Sequence, residues 1–588
     1  MNFSTFNMHF KINMRFKRWV RKWILSEHLF RKIRLYRYDK LQKFWLGHPP
    51  VPAPPFETSY FRKANLDPRV VRRLDDYRSA VVVTGKTELP IEKRNGKSSI
   101  QFAISPARDW VPDKLVRFKI GGHETLIREI PVDRWFDVRL DLEDEDKTLI
   151  VEPDAPVEIT MPRLVKNPIL EKNRKEIRHI VVCVLDAWST ATVNEKHPMT
   201  GENSLTPNID RFFSQGLCAR KGISSGQWTL PAVGTLFTGL HVSRHKMTHP
   251  WRWQEFDRNR RTLPEYFQHA GYHTLCGSVV SRVTPAFGHN RGFDRFLYHF
   301  PGFSYQTYDP AVWIQEIIGH MEAHYGDRTF SYFQFPDTHP SWDIAPETRY
   351  FHLCRRGNTS SNLKQLMTSK ASKIFDIPNQ AQQLYSLRLA EIDRMLGCIF
   401  DYVERKFEEE ALIVVTADHG MRMPYMSEAH QNDEPFLTDI RVNIPLFMRG
   451  LGVPVCSYDG LCPPNLDLPL TLLNLAGLKP DLDDFDGTNV LDRISLQKEC
   501  VISEYVYAGI YELAVRGYGH ALFLKFEIDD KAYKILSREP IYIGLYSLNT
   551  ASYGKDNDLI NEKPDVFETL RKVAIDHINN IGLMENIG

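Results

Sequence analysis

The sequence of 588 residues predicts an α/β protein with a doubly wound, mostly parallel sheet, preceded by a β-sandwich domain and an N-terminal basic helical segment. Three observations support this prediction. Two continuous apolar runs, HIVVCVLDAW (179–188) and ALIVVTADHGM (411–421), carry an aspartate at their end, which is typical of buried parallel strands. Residues 79–170 alternate apolar and polar side chains over short stretches. Residues 1–47 combine basic residues with a helical spacing of apolar ones.

The first segment, residues 1–47, is strongly basic. Residues 1–50 contain 12 Lys and Arg against 2 Asp and Glu. Five apolar residues share one face of the predicted helix: Phe16, Trp19, Val20, Trp23 and Ile24. A basic helix with this face fits a membrane surface, and a helix docked on the main domain is an equal alternative. Nucleic acid is not favoured as a partner, because no recognition motif accompanies the charge.

Residues 48–78 are predicted to be a connector with a helix, because the proline cluster HPPVPAPPFE (48–57) is stiff and cannot be helical throughout. The segment 79–170 follows as the β-sandwich domain. Its alternating stretches, among them SAVVVTGKTEL, SSIQFAIS and WFDVRLDL, are separated by turn residues. This pattern predicts an antiparallel sandwich. Residues 177–588 then form the predicted catalytic domain.

Composition and targeting signals set the expected compartment. The chain is 42% hydrophobic and 25% charged, which is ordinary for a folded globular protein. Its eight cysteines are scattered without CxxC pairs and predict reduced thiols. No stretch approaches the roughly 20 apolar residues of a membrane span, and no apolar region follows the N-terminal charges. We therefore expect a cytoplasmic protein, with residues 1–46 able to hold it at the inner face of the membrane.

Candidate chemistry lies in three places of the catalytic segment. The run SSGQWTLPAVGTLFTGLHVSRHKM (224–247) predicts a strand, a tight turn and a helix, with the Thr229 hydroxyl where backbone amides can hold an anion. Asp186, Asp418 and His419 follow strands whose carboxyl ends share one edge of the sheet. Two carboxylates and an imidazole suit a divalent cation. The alternative is that the threonine and both aspartates merely cap helices.

In this order, the motifs resemble those of the sulfatase and alkaline-phosphatase superfamily, from about residue 177 to 575. The Thr-x-Pro turn followed by Thr238 and Gly239 resembles the nucleophile turn of that superfamily, and the DHG sequence resembles its late metal motif. The resemblance implies an alkaline-phosphatase-like fold with Thr229 as nucleophile. It also implies a divalent ion (Zn²⁺, Mn²⁺ or Ca²⁺) bound by Asp186, Asp418 and His419.

Further site residues are implied by the same resemblance. The run YFQFPDTHPSWD (332–343) resembles a strand-end segment whose histidine meets the transferred anion, which makes His339 a candidate general acid. Asp337, His339 and His430 could hold a second metal. Arg244 and His249 follow the nucleophile helix and could bind the substrate anion. Solvated loop positions are an equal alternative for these last two residues.

The sequence also departs from the sulfatase pattern. Sulfatases carry a Cys or Ser that is oxidised to an aldehyde, whereas oxidation of Thr229 at its β-carbon would give a ketone. The second aspartate of the first strand is replaced by Ala187, and the Ser-Arg after the proline is replaced by Ala232 and Val233. We therefore expect a metal-dependent phosphoester hydrolase or phosphotransferase that forms a phospho-Thr229 intermediate.

The expected substrate is an anionic ester, and the N-terminal charge suggests one that is part of a glycan or linked to a lipid. A sulfate-ester hydrolase is the first alternative. A non-catalytic binding protein of the same fold is the second.

Overall fold

The structure is a computed structural model that describes most of the chain beyond the N-terminal segment. It describes residues 53, 55–91, 98–107, 114–143, 145–166, 176–190, 203–249, 254–299, 309–339, 378–421, 435–496, 500–529, 531–548, 550 and 552–584. The predicted basic helix at 1–47 therefore lies outside the described residues, as does His430.

The described chain begins with helix α1 (Pro55–Arg62) and ten short strands. The strands are β1 (Arg69–Arg73), β2 (Asp76–Val83), β3 (Thr87–Pro90), β4 (Ser98–Pro106), β5 (Val116–Ile120), β6 (His123–Ile127), β7 (Phe136–Leu142), β8 (Thr148–Pro153), β9 (Val157–Thr160) and β10 (Arg163–Lys166). Strands β3, β8, β5 and β6 form one antiparallel sheet. The others form a second antiparallel layer, and the two layers bury a common core that includes Ile100, Phe118 and Leu149.

The second layer continues directly into the central sheet, because β2 pairs antiparallel with a strand of that sheet through Tyr77 and Phe296. The eight strands that follow along the chain complete that central sheet. They are β11 (His179–Leu185), β12 (Leu217–Ile223), β13 (His273–Ser278), β14 (Arg295–Tyr298), β15 (Thr329–Phe335), β16 (Ala411–Ala417), β17 (Asn443–Arg449) and β18 (Cys456–Tyr458).

The central strands lie in the order β14-β13-β15-β11-β16-β17-β12-β18. The five from β14 to β16 are mutually parallel, and β17 runs antiparallel to both of its neighbours. Strand β12 therefore points in the same direction as β16, so the carboxyl ends of β15, β11, β16 and β12 meet at one edge of the sheet. The predicted α/β fold with a large, mostly parallel sheet is confirmed.

Nine further helices surround this sheet in the described residues. They are α2 (Pro207–Phe213), α3 (Thr229–Thr238), α4 (Val242–His245), α5 (Leu263–His269), α6 (Ala311–Ala323), α7 (Pro378–Lys406), α8 (Asp439–Val442), α9 (Pro464–Leu475) and α10 (Val490–Leu496). Strands β11, β15 and β16 are buried at every position between the two helical layers. This burial on both faces explains why the sequences of β11 and β16 are largely apolar runs rather than alternating ones.

The chain ends in a smaller antiparallel sheet covered by one helix. Its strands are β19 (Val501–Tyr507), β20 (Ile510–Gly517), β21 (His520–Asp529), β22 (Lys534–Ile535) and β23 (Tyr542–Ser547), followed by helix α11 (Pro564–Asn580). The helix packs Leu570, Ala574 and Ile578 against Leu513 and Leu522 of the sheet. The other face of this sheet packs against loops at the carboxyl edge of the central strands through Phe523 and Leu437.

Buried histidines gather at the opposite, amino-terminal edge of the central sheet. The rings of His273 and His324 stack with their centroids 3.9 Å apart, and the ring of His320 lies 5.0 Å from that of His324. At the start of β11, His179 shares a hydrogen bond of 2.9 Å with Thr329. Burial, the largest influence, lowers the pKa of His179 and of His320 to about 3 and that of His324 well below its usual value.

We predict that the protein loses stability in acid through this cluster. The folded-state pKa of these histidines lies below the unfolded value of 6.5, so the unfolded chain binds more protons as the pH falls below 6.5. Each histidine that stays neutral in the fold should lower the free energy of unfolding by about 3 kcal/mol at about pH 4.5. Urea unfolding at a series of pH values measures this loss. The variant His179→Gln should show a shallower pH dependence, by about one proton, and an unchanged slope would contradict the assignment.

Candidate active site

Asp186, Asp418 and His419 come together at the carboxyl ends of β11 and β16. Both aspartates are fully buried, and His419 is 7% exposed. The His419 Nε2 atom lies 3.5 Å from Asp186 Oδ1 and 3.7 Å from Asp418 Oδ2. One potential ligand atom from each residue lies within 4.8 Å of the other two. The adjacent parallel strands thus bring together the three residues that the sequence assigned to a metal.

The hydrogen bonds of this cluster leave His419 Nε2 and the carboxylate oxygens of Asp186 available for a cation. His419 Nδ1 lies 2.8 Å from the Gly420 carbonyl oxygen, which keeps a proton on Nδ1 and makes Nε2 the atom that could bind a cation. Neither carboxylate oxygen of Asp186 has a hydrogen-bond partner among the described residues, although both are buried. Such atoms are costly to leave unmatched, and a divalent ion would satisfy them. The residues present therefore fit a metal site.

The electrostatics of the cluster point the same way. Burial and then the charge of Asp186 raise the pKa of Asp418 above its usual range. Burial lowers the pKa of His419, but the charges of Asp418 and Asp186 outweigh it and raise this pKa overall. Without a bound metal ion, protons held by Asp418 and His419 therefore offset the negative charge of the cluster.

Two backbone amides and the side chain of Gln334, which the sequence analysis did not single out, hold the Asp418 carboxylate. Its Oδ1 atom accepts hydrogen bonds from the amides of Ala187 at 3.0 Å and of His419 at 2.8 Å. Its Oδ2 atom accepts one from Gln334 Nε2 at 3.2 Å, and Tyr332 donates to Gln334 Oε1 at 2.5 Å. Gln334 escaped the motif analysis because it lies inside β15, before the strand-end residues Asp337 and His339 that the resemblance singled out. Its signal is a polar side chain in a strand that is buried throughout.

Ala187 takes an unusual backbone conformation next to these ligands. Its φ is 66°, in the left-handed region that non-glycine residues rarely adopt. The amide that this conformation turns towards Asp418 is the one that donates to Oδ1. The strained backbone therefore lies at the position where sulfatases carry a second aspartate. Because Ala187 has no carboxylate, the cluster has one potential ligand fewer than the sulfatase pattern.

Thr229 is the first residue of α3 and is 5% exposed. The loop that precedes it is bound to the cluster, because Ser224 Oγ donates to the carbonyl oxygen of Asp418 at 2.5 Å. The C-terminal sheet holds the same loop, with Ser503 Oγ donating to the carbonyl of Ser224 and the amide of Glu504 donating to that of Ser225. Among the described residues, the Thr229 hydroxyl has no hydrogen-bond partner. The predicted nucleophile thus lies at the sheet edge that carries the carboxylates.

The structure uses Asp337 differently from the predicted second metal site. Its carboxylate forms an ion pair with Arg388 of α7, and both side chains are buried. Burial raises the pKa of Asp337 to about 6 despite the opposing charge of Arg388. His339 lies just beyond it, at the end of the described residues after β15. Neither belongs to a metal-capable group of the described chain, and His430 lies outside it.

The two predicted anion-binding residues are directed elsewhere. Arg244 forms an ion pair with Asp486, which also accepts a hydrogen bond of 2.9 Å from the His241 amide. The His249 amide donates to Gln254, and its ring contacts that of Tyr507 at a centroid distance of 5.5 Å. The charge of Arg244 is thus offset within the protein, and its role as a substrate ligand stays a prediction.

A second group with metal-binding residue types lies between α4 and the C-terminal sheet, formed by His241, Glu504 and His577. The Glu504 carboxylate accepts hydrogen bonds from His577 Nε2 at 3.0 Å, from the Tyr511 hydroxyl at 2.8 Å, and from the amide and hydroxyl of Ser243. These donors occupy the carboxylate and keep its pKa well below its usual range despite burial. The group is better explained as a hydrogen-bonded contact that connects the C-terminal sheet to α4 and α11.

The fold and the ordered motifs define a member of the sulfatase and alkaline-phosphatase superfamily. A sequence profile described as "Sulfatase" matches residues 178–478, which is more than half of the chain. The chain therefore belongs to the sulfatase family, and the hydrolase class expected from the motifs is confirmed at this level. The preference for a phosphoester over a sulfate ester is not settled by the match.

Known proteins similar to the chain agree with this assignment. A Caenorhabditis elegans protein named "Putative extracellular sulfatase Sulf-1 homolog" is 22% identical over 312 residues, which are 46% of this chain and 43% of that protein. The chain thus matches less than half of the relative's length. The structure of BT4656 in complex with D-glucosamine-2-N,6-O-disulfate has a TM-score of 0.50 at 14% identity, covering 69% of this chain and 98% of that one. The structure of a protein named "putative sulfatase yidJ" from Bacteroides fragilis has a TM-score of 0.53 at 14% identity, covering 71% of this chain and 98% of that one.

The expected cytoplasmic location is wrong by this comparison, since the curated relative is named an extracellular protein. The expectation rested on the lack of an apolar segment after the N-terminal charges, and such a lack cannot assign a compartment. Each described helix is too short or too polar to cross a lipid bilayer.

We predict that Asp186→Asn stabilises the metal-free protein and abolishes its stabilisation by added metal. Removing one of two buried like charges should raise the melting temperature in a chelator by about 2–4 °C. The stabilisation of the wild type by added Mn²⁺ should be lost in the variant, because the cluster loses a ligand. Differential scanning calorimetry with and without Mn²⁺ measures both effects.

The matched control is Asp393→Asn. Asp393 is also buried, but it accepts hydrogen bonds from Asn208 and Ile209 at the start of α2. This variant should lose stability and keep the response to Mn²⁺. An equal Mn²⁺ response in Asp186→Asn and wild type would rule out the metal assignment.

Proposed function

We propose that the chain is a metal-dependent phosphoester hydrolase or phosphotransferase that uses Thr229 as its nucleophile. The observation that carries this proposal is the buried cluster of Asp186, Asp418 and His419 at the sheet edge that also presents the Thr229 hydroxyl. A carboxylate pair with no hydrogen bonds to one of its members is poorly suited to a purely structural role. It suits a site that is completed by a divalent ion.

The residues divide the work between them. Asp186, Asp418 and His419 would hold the ion, and Gln334 and the Gly420 carbonyl keep two of these ligands in orientation. When bound, a divalent ion lowers the pKa of a neighbouring hydroxyl and offsets charge on an attacked phosphoryl oxygen. Thr229 stands at the amino end of α3, where free backbone amides favour an anion. Ser224 keeps the nucleophile loop against Asp418.

The proposed reaction is a double displacement. The Thr229 hydroxyl gives its proton to water and forms a bond to phosphorus, while the bond from phosphorus to the ester oxygen breaks and the alcohol leaves with a proton. His339 is the candidate donor of that proton. Water, or the hydroxyl of a sugar or lipid, then takes the phosphoryl group from Thr229. Hydrolysis and transfer differ only in this second acceptor.

Phosphorus is favoured over sulfur by the side chain at position 229. A threonine cannot become the aldehyde on which sulfatases depend, because its β-carbon carries a methyl group and would give a ketone. Sulfate-ester hydrolysis is kept as a second candidate, because a protein of similar fold binds a disulfated glucosamine. The same finding supports a glycan as the carrier of the ester. The preferred substrates are therefore anionic esters on sugars.

We predict that Thr229→Ala lowers kcat for an aryl phosphate by at least about 10³-fold, because the nucleophile is removed. Metal binding should persist, since Thr229 is not among the three proposed ligands. Paired aryl phosphate monoester, phosphodiester and sulfate substrates, each with Mn²⁺, Zn²⁺ or Ca²⁺, identify the reaction. Mass spectrometry of acid-quenched wild type should find phosphate on the peptide that contains Thr229.

Thr229→Ser is the matched control for this experiment. It keeps the hydroxyl and should keep measurable turnover. Undiminished activity in Thr229→Ala would show that water attacks directly and would refute the proposed nucleophile. Turnover of the aryl sulfate alone would favour the second candidate.

We further propose that the basic residues within 1–46 bring the enzyme to anionic membranes. Their charge and apolar face predict vesicle binding that weakens as salt is added, because exposed charges are screened within about 8 Å at physiological salt. Deleting residues 1–46 should abolish co-sedimentation with phosphatidylserine vesicles and leave turnover of a small aryl ester unchanged. If the full chain does not bind these vesicles even at low salt, the proposed membrane role of the segment is wrong.

A further inference from the structure

Arg441 lies on α8, a single helical turn. This turn stands between the cluster of proposed metal ligands (Asp186, Asp418 and His419) and the nucleophile loop, residues 224–228, which precedes Thr229. The amide of Gly420, next to His419, donates to the carbonyl oxygen of Arg441 at 2.8 Å. The amide of Ser224 donates to the carbonyl of the adjacent Val442 at 2.7 Å. The backbone around Arg441 is thus bound on one side to the end of β16 and on the other to the loop that leads to Thr229.

The side chain of Arg441 extends to the nucleophile loop. Its Nη1 atom donates to Gln227 Oε1 at 3.1 Å, two residues before Thr229, and the side chain is half-buried. The guanidinium carries five donor hydrogens, so the contact with Gln227 leaves most of them available. A planar guanidinium in this position can present two N–H groups to a tetrahedral anion.

The charge of Arg441 is not offset by a carboxylate among the described residues. Asp439, two positions away on the same turn, binds Arg516 at 2.8 Å. The other candidate arginines differ in this respect, because Arg244 pairs with Asp486 and Arg388 pairs with Asp337. A half-buried arginine held by one neutral amide is available for an anionic ligand in a way that a paired arginine is not.

The nucleophile helix itself lacks such a cation. The two residues after Pro231 are Ala232 and Val233, and neither the first turn nor the last turn of α3 contains a charged side chain. An anionic ester at the Thr229 hydroxyl would need positive charge on the side that the metal cluster does not cover. Of the described arginines considered above, Arg441 combines contact with the nucleophile loop with a charge that is not offset.

We propose that Arg441 binds the non-bridging oxygens of the phosphate or sulfate group that is transferred, and that Gln227 orients its guanidinium. This inference rests on the proposed function, because it uses the same site. It assigns to a short turn beside β17 the anion-binding role that the sequence placed on Arg244.

Direct binding of the free anions tests the proposal without turnover. Inorganic phosphate and inorganic sulfate are titrated into the full-length, Mn²⁺-loaded protein by isothermal calorimetry. Arg441→Gln should weaken the binding of the preferred anion by about 10- to 100-fold, since charge-assisted hydrogen bonds are lost. Arg441→Lys should keep part of the affinity, because it retains the charge but not the paired donors. With an aryl ester, KM should rise more than kcat falls.

Two measurements exclude a merely structural effect. The shift of melting temperature by Mn²⁺ should be the same in Arg441→Gln and wild type, which shows that the metal cluster is intact. Arg211→Gln removes the same charge from a surface ion pair with Asp401 and Glu404 and should bind both anions like wild type.

The outcomes of this experiment and of the function assay are distinguishable. If no aryl ester is turned over but Arg441→Gln loses anion binding, the proposed function fails and the anion site stands. The inference is overturned if Arg441→Gln binds phosphate and sulfate as tightly as Arg211→Gln. It is also overturned if the metal-loaded wild type binds neither anion at millimolar concentration.

Discussion

Two carboxylates, Asp186 and Asp418, are buried side by side at the edge of the central sheet, and the need to offset their charge organises what surrounds them. Asp418 is matched by backbone amides and by Gln334, whereas Asp186 has no such partner among the described residues. A buried charge without a partner costs several kcal/mol. The cost falls on folding. A protonated His419, 3.5 Å from Asp186, offsets part of it, and a bound cation would offset it more fully, so the fold and the proposed cofactor depend on each other.

The sequence predicted the elements whose local pattern has one explanation. The apolar runs that end in Asp186 and Asp418 are parallel strands, and their carboxyl ends meet, because continuous burial demands cover on both faces. The shared edge also follows from the direction of β12, which delivers Thr229. These features depend on residues close in sequence or on simple strand geometry, so one chain was enough to foresee them.

What the sequence could not foresee are the pairings between distant segments. Arg244 follows the nucleophile helix, where an anion-binding residue is expected. It nevertheless pairs with Asp486, which lies 242 positions further along the chain. Asp337 is matched in the same way by Arg388. The role of Gln334 was hidden because only the folded sheet brings Asp418 within its reach, at the end of β16 two strands away. Side-chain partners set by tertiary contact leave no trace in local spacing.

The C-terminal sheet has a bearing on how the molecule can be divided. The matched family region ends at residue 478, well before β19. Nevertheless Ser503 and Glu504 of β19 hold the backbone of Ser224 and Ser225, and Glu504 also binds Ser243 on the far side of the nucleophile helix. A strand outside the matched family region therefore forms hydrogen bonds to the segments before and after the helix that carries Thr229. For recombinant work, a fragment trimmed to the family boundary would be a poor substitute for the whole enzyme, and grafting this catalytic core would require its terminal sheet as well.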